Sequence, residues 1–187
     1  GGDGGGGGGI AADLAVGGGG GGTTRPSLLV GGCGDGTVRL YDHRVPNGYA
    51  NVAVCSGHEG YIVAVSCVPR TGTLVSVAVT GDVRFWDTRR PDTPIGAYRT
   101  SSAASDVTTA VAVHPWLPLI ACGSQNQRIR VFDWAGRELS CVRYHDGFLG
   151  QRIGAVASLA FHPYQPLLGV GFHDAFMSLY CASTHGK

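Results

Sequence analysis

Val83-Arg84-Phe85-Trp86-Asp87 is a stretch that recurs along the chain in three related versions. They read Val38-Arg39-Leu40-Tyr41-Asp42, Ile129-Arg130-Val131-Phe132-Asp133 and Met177-Ser178-Leu179-Tyr180-Cys181. The four copies end at positions 42, 87, 133 and 181, so their spacing is nearly constant. A spacing of about 46 residues is typical of proteins built from tandem structural repeats.

A second motif keeps the same spacing, because Ala110–Leu119 recurs one repeat later as Ser158–Leu167. Both copies place a histidine before proline, and a position that repeats in this way predicts a turn residue for His114 and His162. Short apolar runs alternate with Gly, Pro, Asp and Asn, which is the pattern of strands joined by tight turns. Four antiparallel strands in a repeat of about 46 residues predict an all-β fold made of β-propeller blades.

Glycine marks the domain organisation, since 14 of the 32 glycines fall between Gly1 and Gly22. Such a segment has little side-chain area to bury and much backbone entropy to lose. We therefore expect a glycine-rich linker or insertion over residues 1–24 and a partial propeller over 25–187, with about 3.5 blades. The expected repeat units are 25–56, 57–100, 101–144 and 145–187. Because the sole methionine is Met177, we also expect the chain to be part of a longer protein that supplies the remaining blades.

The repeats resemble the WD-repeat family. The pairs that end three copies look like the closing dipeptide of a WD repeat, and Gly57-His58 looks like the opening pair; the closing pairs are Tyr41-Asp42, Trp86-Asp87 and Phe132-Asp133. This resemblance implies structural roles for the closing aspartates, which are Asp42, Asp87 and Asp133.

The same resemblance implies a buried hydrogen-bond network that joins His58, Ser76 and Trp86. Val79 or Thr80 stands where the family places a turn aspartate, so the network is incomplete. We therefore expect apolar packing to hold the blades together more than polar contacts do.

A more specific resemblance runs from about Pro26 to Tyr180. The chain is similar there to the C-terminal propeller of the Raptor family, the scaffold subunits of target-of-rapamycin (TOR) complex 1. The segments that carry it are Tyr144–Ala155, Leu159–Pro163, Leu119–Gln127 and Gly81–Phe85. The resemblance implies a non-catalytic scaffold or adaptor in TOR signalling and nutrient-dependent growth control. It also implies partners in the TOR kinase complex and a cytoplasmic location, with partners able to hold the protein at a lysosomal or vacuolar membrane.

The loop between the third and fourth repeats is the candidate partner contact, through Phe148, Leu149, Gln151 and Arg152. An exposed aromatic side chain beside an arginine is typical of energetically important positions in protein interfaces. The alternative is that Phe148 folds back and covers its own blade.

Charge and composition disfavour other classes of function. Lys and Arg number 14 against 13 Asp and Glu, so the basic stripe of a nucleic-acid-binding protein is absent. No apolar run is long enough to span a membrane. The seven histidines and six cysteines show no metal-ligand spacing, which disfavours a metal site and suggests that the cysteines are small buried hydrophobes.

Catalytic and cofactor motifs are missing as well. Residues 31–37, Gly-Gly-Cys-Gly-Asp-Gly-Thr, lack the Gly-Lys-Ser/Thr ending of a phosphate-binding loop and are expected to form a hairpin turn. No serine lies in a nucleophile elbow. We expect no catalytic, cofactor-binding or metal-binding residue. The alternatives are another WD-repeat adaptor, such as a ubiquitin-ligase substrate receptor or a vesicle-coat subunit, or, from a different class, a propeller enzyme.

Overall fold

The computed structural model describes residues 28–42, 44–45, 51–68, 71–101, 103, 105–143 and 154–181. In these ranges all regular structure is β. The fourteen described strands are β1 (Leu28–Gly32), β2 (Val38–Asp42), β3 (Asn51–Cys55), β4 (Ile62–Val68), β5 (Thr73–Ala78), β6 (Asp82–Asp87), β7 (Gly96–Arg99), β8 (Thr108–Val113), β9 (Leu119–Ser124), β10 (Arg128–Asp133), β11 (Glu138–Arg143), β12 (Val156–Phe161), β13 (Leu167–Phe172) and β14 (Met177–Cys181).

The strands form four antiparallel sheets. Sheet 1 has the order β1-β2-β3, sheet 2 the order β4-β5-β6-β7, sheet 3 the order β8-β9-β10-β11, and sheet 4 the order β12-β13-β14. Every sheet follows chain order, which is typical of antiparallel strands that are consecutive in the chain. The prediction of a partial propeller is confirmed. Sheets 2 and 3 have four strands, and the described residues of sheets 1 and 4 provide three each.

The chain divides into two compact units. Unit 1 comprises Gly1–Ala78 and Arg84–Gly96, and unit 2 comprises Val79–Val83 and Ala97–Lys187. Sheet 1 lies in unit 1, sheets 3 and 4 lie in unit 2, and the strands of sheet 2 contribute to both units. The repeat limits expected at residues 56 and 100 fall between successive sheets, whereas the limit at 144 and the glycine-rich segment 1–24 lie outside the described residues.

The core of unit 1 lies between sheets 1 and 2. In β2 the buried residues alternate with half-exposed ones, as expected for a strand with one face turned to a core. Trp86 is fully buried and is the largest side chain in this cluster. The buried members are Val30, Val38, Leu40, Cys55, Ile62, Val65, Leu74, Ala78 and Trp86.

The core of unit 2 lies between sheets 3 and 4. Val156 at the start of β12 is fully buried and packs with residues from both sheets. The buried members are Ala110, Ala121, Ile129, Val156, Leu168, Val170 and Phe172. Aliphatic burial of this kind is the main source of stability for an antiparallel sheet that cannot cover its own faces.

A glycine at one repeat position lets neighbouring sheets approach closely. In unit 1, a Cβ added to Gly32 of β1 would lie 2.8 Å from Cβ of Ile62, the first residue of β4. In unit 2, a Cβ added to Gly123 of β9 would overlap the side chain of Val156, the first residue of β12. Each glycine thus provides space for a β-branched side chain from the next sheet. We call these two contacts the glycine seats.

The hairpin turn that leads into the recurring stretch of each repeat needs a left-handed backbone. Gly36 and Gly81 have φ of 79° and 77°, while Gln127 and Ala175 occupy the same position with φ of 59° and 64°. A side chain in this conformation costs about 1–2 kcal/mol, so sheets 3 and 4 tolerate strain that glycine avoids. Residues 33–37 form this turn between β1 and β2, which confirms a hairpin rather than a phosphate-binding loop.

Replacing Gly123 with alanine tests the glycine seat of unit 2. The new Cβ would meet the stiff, fully buried Val156, so we expect the free energy of unfolding to fall by about 1–3 kcal/mol. Gly169→Ala is the matched control, because its Cβ would lie 3.8 Å from the carbonyl oxygen of Ala160, an ordinary contact. Urea unfolding measures the free energy of unfolding of both variants. Equal losses would show that the space at Gly123 is not needed for Val156 to pack.

Candidate functional site

A buried polar network lies inside sheet 2. Ser76 in β5 is fully buried, and its Oγ accepts a hydrogen bond of 2.8 Å from Nε1 of Trp86 in β6. The same Oγ lies 2.6 Å from Nε2 of His58, which is 9% exposed and precedes β4. Because Ser76 already accepts from the indole, its hydroxyl hydrogen is available to donate to His58.

Sheet 3 replaces this network with apolar contacts. Cys122 and Phe132 occupy the positions of Ser76 and Trp86 in the next repeat along the chain, and both are buried. Phe132 packs against Tyr98 with a ring-centroid distance of 5.7 Å. Sheet 3 therefore forms without the polar network of a WD repeat. Backbone pairing and apolar packing hold its strands together.

The three closing aspartates each accept hydrogen bonds in the turn that follows the strand they end. Asp87 Oδ1 accepts from the backbone N–H of Arg89 at 2.9 Å. Asp42 accepts from Arg44 through both the backbone N–H, at 3.0 Å, and the guanidinium, at 2.7 Å.

Asp133 makes the third of these turns. Its carboxylate accepts from the backbone N–H of Arg137 at 2.9 Å and from Nε at 3.1 Å. The backbone hydrogen bond from Arg137 is the main reason why the pKa of Asp133 is lowered. These aspartates therefore stabilise the turns in which they lie.

Two histidines at equivalent repeat positions stabilise the turns after the first strands of sheets 3 and 4. Nδ1 of His114 accepts hydrogen bonds from the backbone N–H groups of Trp116 and Leu117 at 3.1 and 3.0 Å. Nδ1 of His162 accepts the corresponding pair at 3.1 and 3.0 Å. The sequence-based assignment of both histidines to turns is thus confirmed, and each turn needs an unprotonated Nδ1.

None of the six cysteines is in a disulfide. Burial raises the pKa of Cys55 to about 11 and that of Cys122 to about 12, so both stay protonated at neutral pH. The expectation that all six are buried holds for Cys55, Cys67 and Cys122; Cys33 is half-buried, and the expectation is wrong for Cys141 and Cys181. These two lie on β11 and β14 at sheet edges and are exposed.

The candidate contact loop lies outside the described residues, as do all four of its named positions, Phe148, Leu149, Gln151 and Arg152. In the part of the chain that is described, no group of three or more His, Cys, Asp or Glu side chains could hold a metal ion. Over the same residues, no helix is long and apolar enough to cross a membrane.

Sequence inspection missed a buried ion pair in unit 2. Nη2 of Arg130 lies 3.3 Å from Oδ2 of Asp106, and the two side chains are 15% and 5% exposed. Nη1 of Arg130 donates to the carbonyl oxygen of Thr100. Arginine recurs at this repeat position as Arg39 and Arg84, and this recurrence could have indicated a structural role for Arg130. Its partner Asp106 could not be found in this way because that position does not repeat.

Comparison with known proteins relates the chain to two groups. The WD40 family (WD domain, G-beta repeat) matches residues 50–87 and 94–133. The chain is 42% identical over 168 residues to the protein raptor homolog of Dictyostelium discoideum, which covers 87% of this chain and 11% of the relative. It is 32% identical over 155 residues to the target of rapamycin complex 1 subunit mip1 of Schizosaccharomyces pombe, which covers 81% of this chain and 11% of the relative.

A solved structure agrees with these relatives. The crystal structure of Chaetomium thermophilum Raptor superposes with a TM-score of 0.74 at 27% identity, and the match covers 85% of this chain and 15% of that chain. The chain therefore spans about one tenth of the length of the curated relatives it matches.

Removing the Ser76 hydroxyl tests the network in sheet 2. Ser76→Ala leaves two buried polar groups without this partner, so we expect the free energy of unfolding to fall by about 2–4 kcal/mol. Ser66→Ala, on the adjacent strand β4 and half-exposed, is the matched control. Thermal and urea unfolding measure both variants. A loss no larger than that of the control would show that the network contributes little.

The His114 turn predicts a pH effect. Burial is the main reason why the pKa of His114 is lowered from 6.5. Its contribution to stability is therefore complete above pH 6.5 and is lost as the pH falls through the lowered pKa of the folded state. His114→Asn keeps an acceptor but cannot titrate, so the free energy of unfolding should fall less steeply below that pH. Urea unfolding across the acidic range measures this, and a variant as steep as the original protein would exclude His114 as the source.

Proposed function

Because the chain belongs to the Raptor family and corresponds to its WD-repeat segment, we propose that it is a non-catalytic scaffold region of TOR complex 1. The observation that carries the proposal is the 42% identity to a raptor homolog over 87% of the chain. It is supported by the relative named as a subunit of target of rapamycin complex 1. A WD-repeat propeller offers rigid turns on a stable scaffold, which suits protein contacts.

The geometry of Ser76 and His58 supports a role without catalysis. A serine hydroxyl 2.6 Å from a histidine nitrogen has the spacing of a nucleophile and its general base. However, Ser76 is 0% exposed and its oxygen accepts from the indole of Trp86. A substrate would have no access to that oxygen, so the contact stabilises the sheet.

Partner binding is proposed to involve the loop that carries Phe148, Leu149, Gln151 and Arg152. The composition of this loop supports the proposal, since an aromatic side chain and an arginine together are enriched where interfaces gain most of their binding energy. We propose a cytoplasmic location for the assembly, with its partners able to hold it at a lysosomal or vacuolar membrane. The remaining blades of the propeller would come from the longer protein.

Affinity purification of the native protein from its own cells tests the scaffold role. We expect a TOR kinase to co-purify in near-stoichiometric amounts and to be identified by mass spectrometry. Recovery with a cullin or with vesicle-coat subunits, and without the kinase, would reject the TOR proposal in favour of another WD-repeat adaptor.

The loop is tested separately in the same native protein. The double variant Phe148→Ala, Arg152→Ala should weaken binding of at least one partner by about thirtyfold, because two interface anchors at about 1 kcal/mol each are removed. Tyr164→Ala with Arg137→Ala is the matched control, since both residues are exposed. Equal recovery with the two double variants would refute the loop contact without affecting the scaffold role.

A further inference from the structure

Sheet 3 places two arginines directly opposite each other. The register pairs Arg128, the first residue of β10, with Arg143, the last residue of β11. Directly opposed residues on antiparallel strands point to the same face with Cβ atoms about 5 Å apart. Like charges in this position are destabilising, so the arrangement calls for a compensating anion.

No carboxylate of the described residues supplies that compensation. Neither Arg128 nor Arg143 forms an ion pair there, although Arg130 on the same strand does. The nearby carboxylate of Asp106 is already engaged, since it pairs with Arg130 and accepts from Nδ2 of Asn126 at 3.4 Å. Arg143 is exposed and Arg128 is half-exposed, so both guanidinium groups can reach a partner.

A small depression next to Arg128 adds a second observation. Arg128 and Arg130 line it together with Asp106, whose carboxylate is paired with Arg130, and with two hydroxyl-bearing residues. These are Thr108 and Ser124, which are paired in register on β8 and β9. Ser124 is 7% exposed, and its Oγ has no hydrogen-bond partner in the structure. Within the described residues, the Ser124 hydroxyl and the Arg128 guanidinium are both hydrogen-bond donors without a partner. A ligand with a hydrogen-bond acceptor would satisfy them. The depression is too small for a drug-sized ligand, so the acceptor must be a single group at its mouth.

We propose that Arg128 and Arg143 form a docking site for carboxylate side chains of an acidic segment in a partner protein. Each guanidinium fork can bind one carboxylate through paired N–H donors. A nucleic acid is disfavoured, because 14 Lys and Arg against 13 Asp and Glu give the chain almost no excess of positive charge for binding phosphates. That the partner is a protein rests on the proposed protein-binding role. The two arginines add that this partner must carry acidic side chains.

Binding of a labelled peptide tests the site directly. The probe is a fluorescein-labelled octapeptide of glutamate, with the glutamine octapeptide as the uncharged reference, titrated by fluorescence anisotropy in low salt. We expect the glutamate peptide to bind at least about tenfold more tightly than the glutamine peptide, and the affinity to fall as salt rises. The double variant Arg128→Gln, Arg143→Gln should lose about tenfold in affinity.

The control is Arg137→Gln, which removes one arginine from the turn at the opposite end of β10 and should leave binding unchanged. Removing the like charges should not lower the melting temperature of the double variant. If it does, the exposed single variant Arg143→Gln replaces it, with a loss of about threefold expected. Equal binding of both peptides, or equal affinity of the arginine variants and the original protein, would overturn the proposal. Tighter binding of an oligonucleotide than of the glutamate peptide would also overturn it. These results are independent of whether a TOR kinase co-purifies.

Discussion

Burial of one sheet face against the next is the constraint on which this structure depends. A three- or four-stranded antiparallel sheet cannot cover its own faces, so each is stable only when a neighbouring sheet packs against it. Within each compact unit the close approach occurs at a glycine seat, where Ile62 lies over Gly32 and Val156 lies over Gly123. The backbone is bare at these points because a side chain would hold the sheets apart. Gly32 and Gly123 hold the same repeat position because the same close contact between sheets forms within each unit.

The polar groups inside the sheets differ between repeats and do not determine how the sheets pack. Sheet 2 contains a hydrogen-bonded serine, histidine and tryptophan, whereas sheet 3 has Cys122 and Phe132 at two of the same positions and keeps its four strands. The closing aspartates and the repeated histidines act locally, by accepting backbone hydrogen bonds in turns. Because these polar side chains make structural contacts, we expect partner binding to use the exposed turns and rims of the sheets.

Sequence patterns predicted the architecture well because the repeated features are local. Strand limits follow from alternating apolar runs and turn residues, and the recurring stretch Val83–Asp87 accordingly lies within the single strand β6. Exposure was harder to predict, and Cys141 and Cys181 were misjudged because their position at sheet edges depends on strand order. The candidate docking site was invisible for the same reason. Arg128 and Arg143 are well separated in the chain, and only the register of β10 and β11 places them opposite each other.

The sequence by itself determined the repeat, the all-β class, the turn chemistry and the family, because each is encoded by residues at fixed local offsets. The tertiary structure decided which of these residues have partners. His58 lies against Ser76, and the carboxylate of Asp106 pairs with Arg130. Two other arginines, Arg128 and Arg143, have no carboxylate partner among the described residues. The physical reason is that hydrogen bonds and ion pairs act over a few ångströms in space. Separation along the chain carries no information about them until the strands are paired and the sheets are packed.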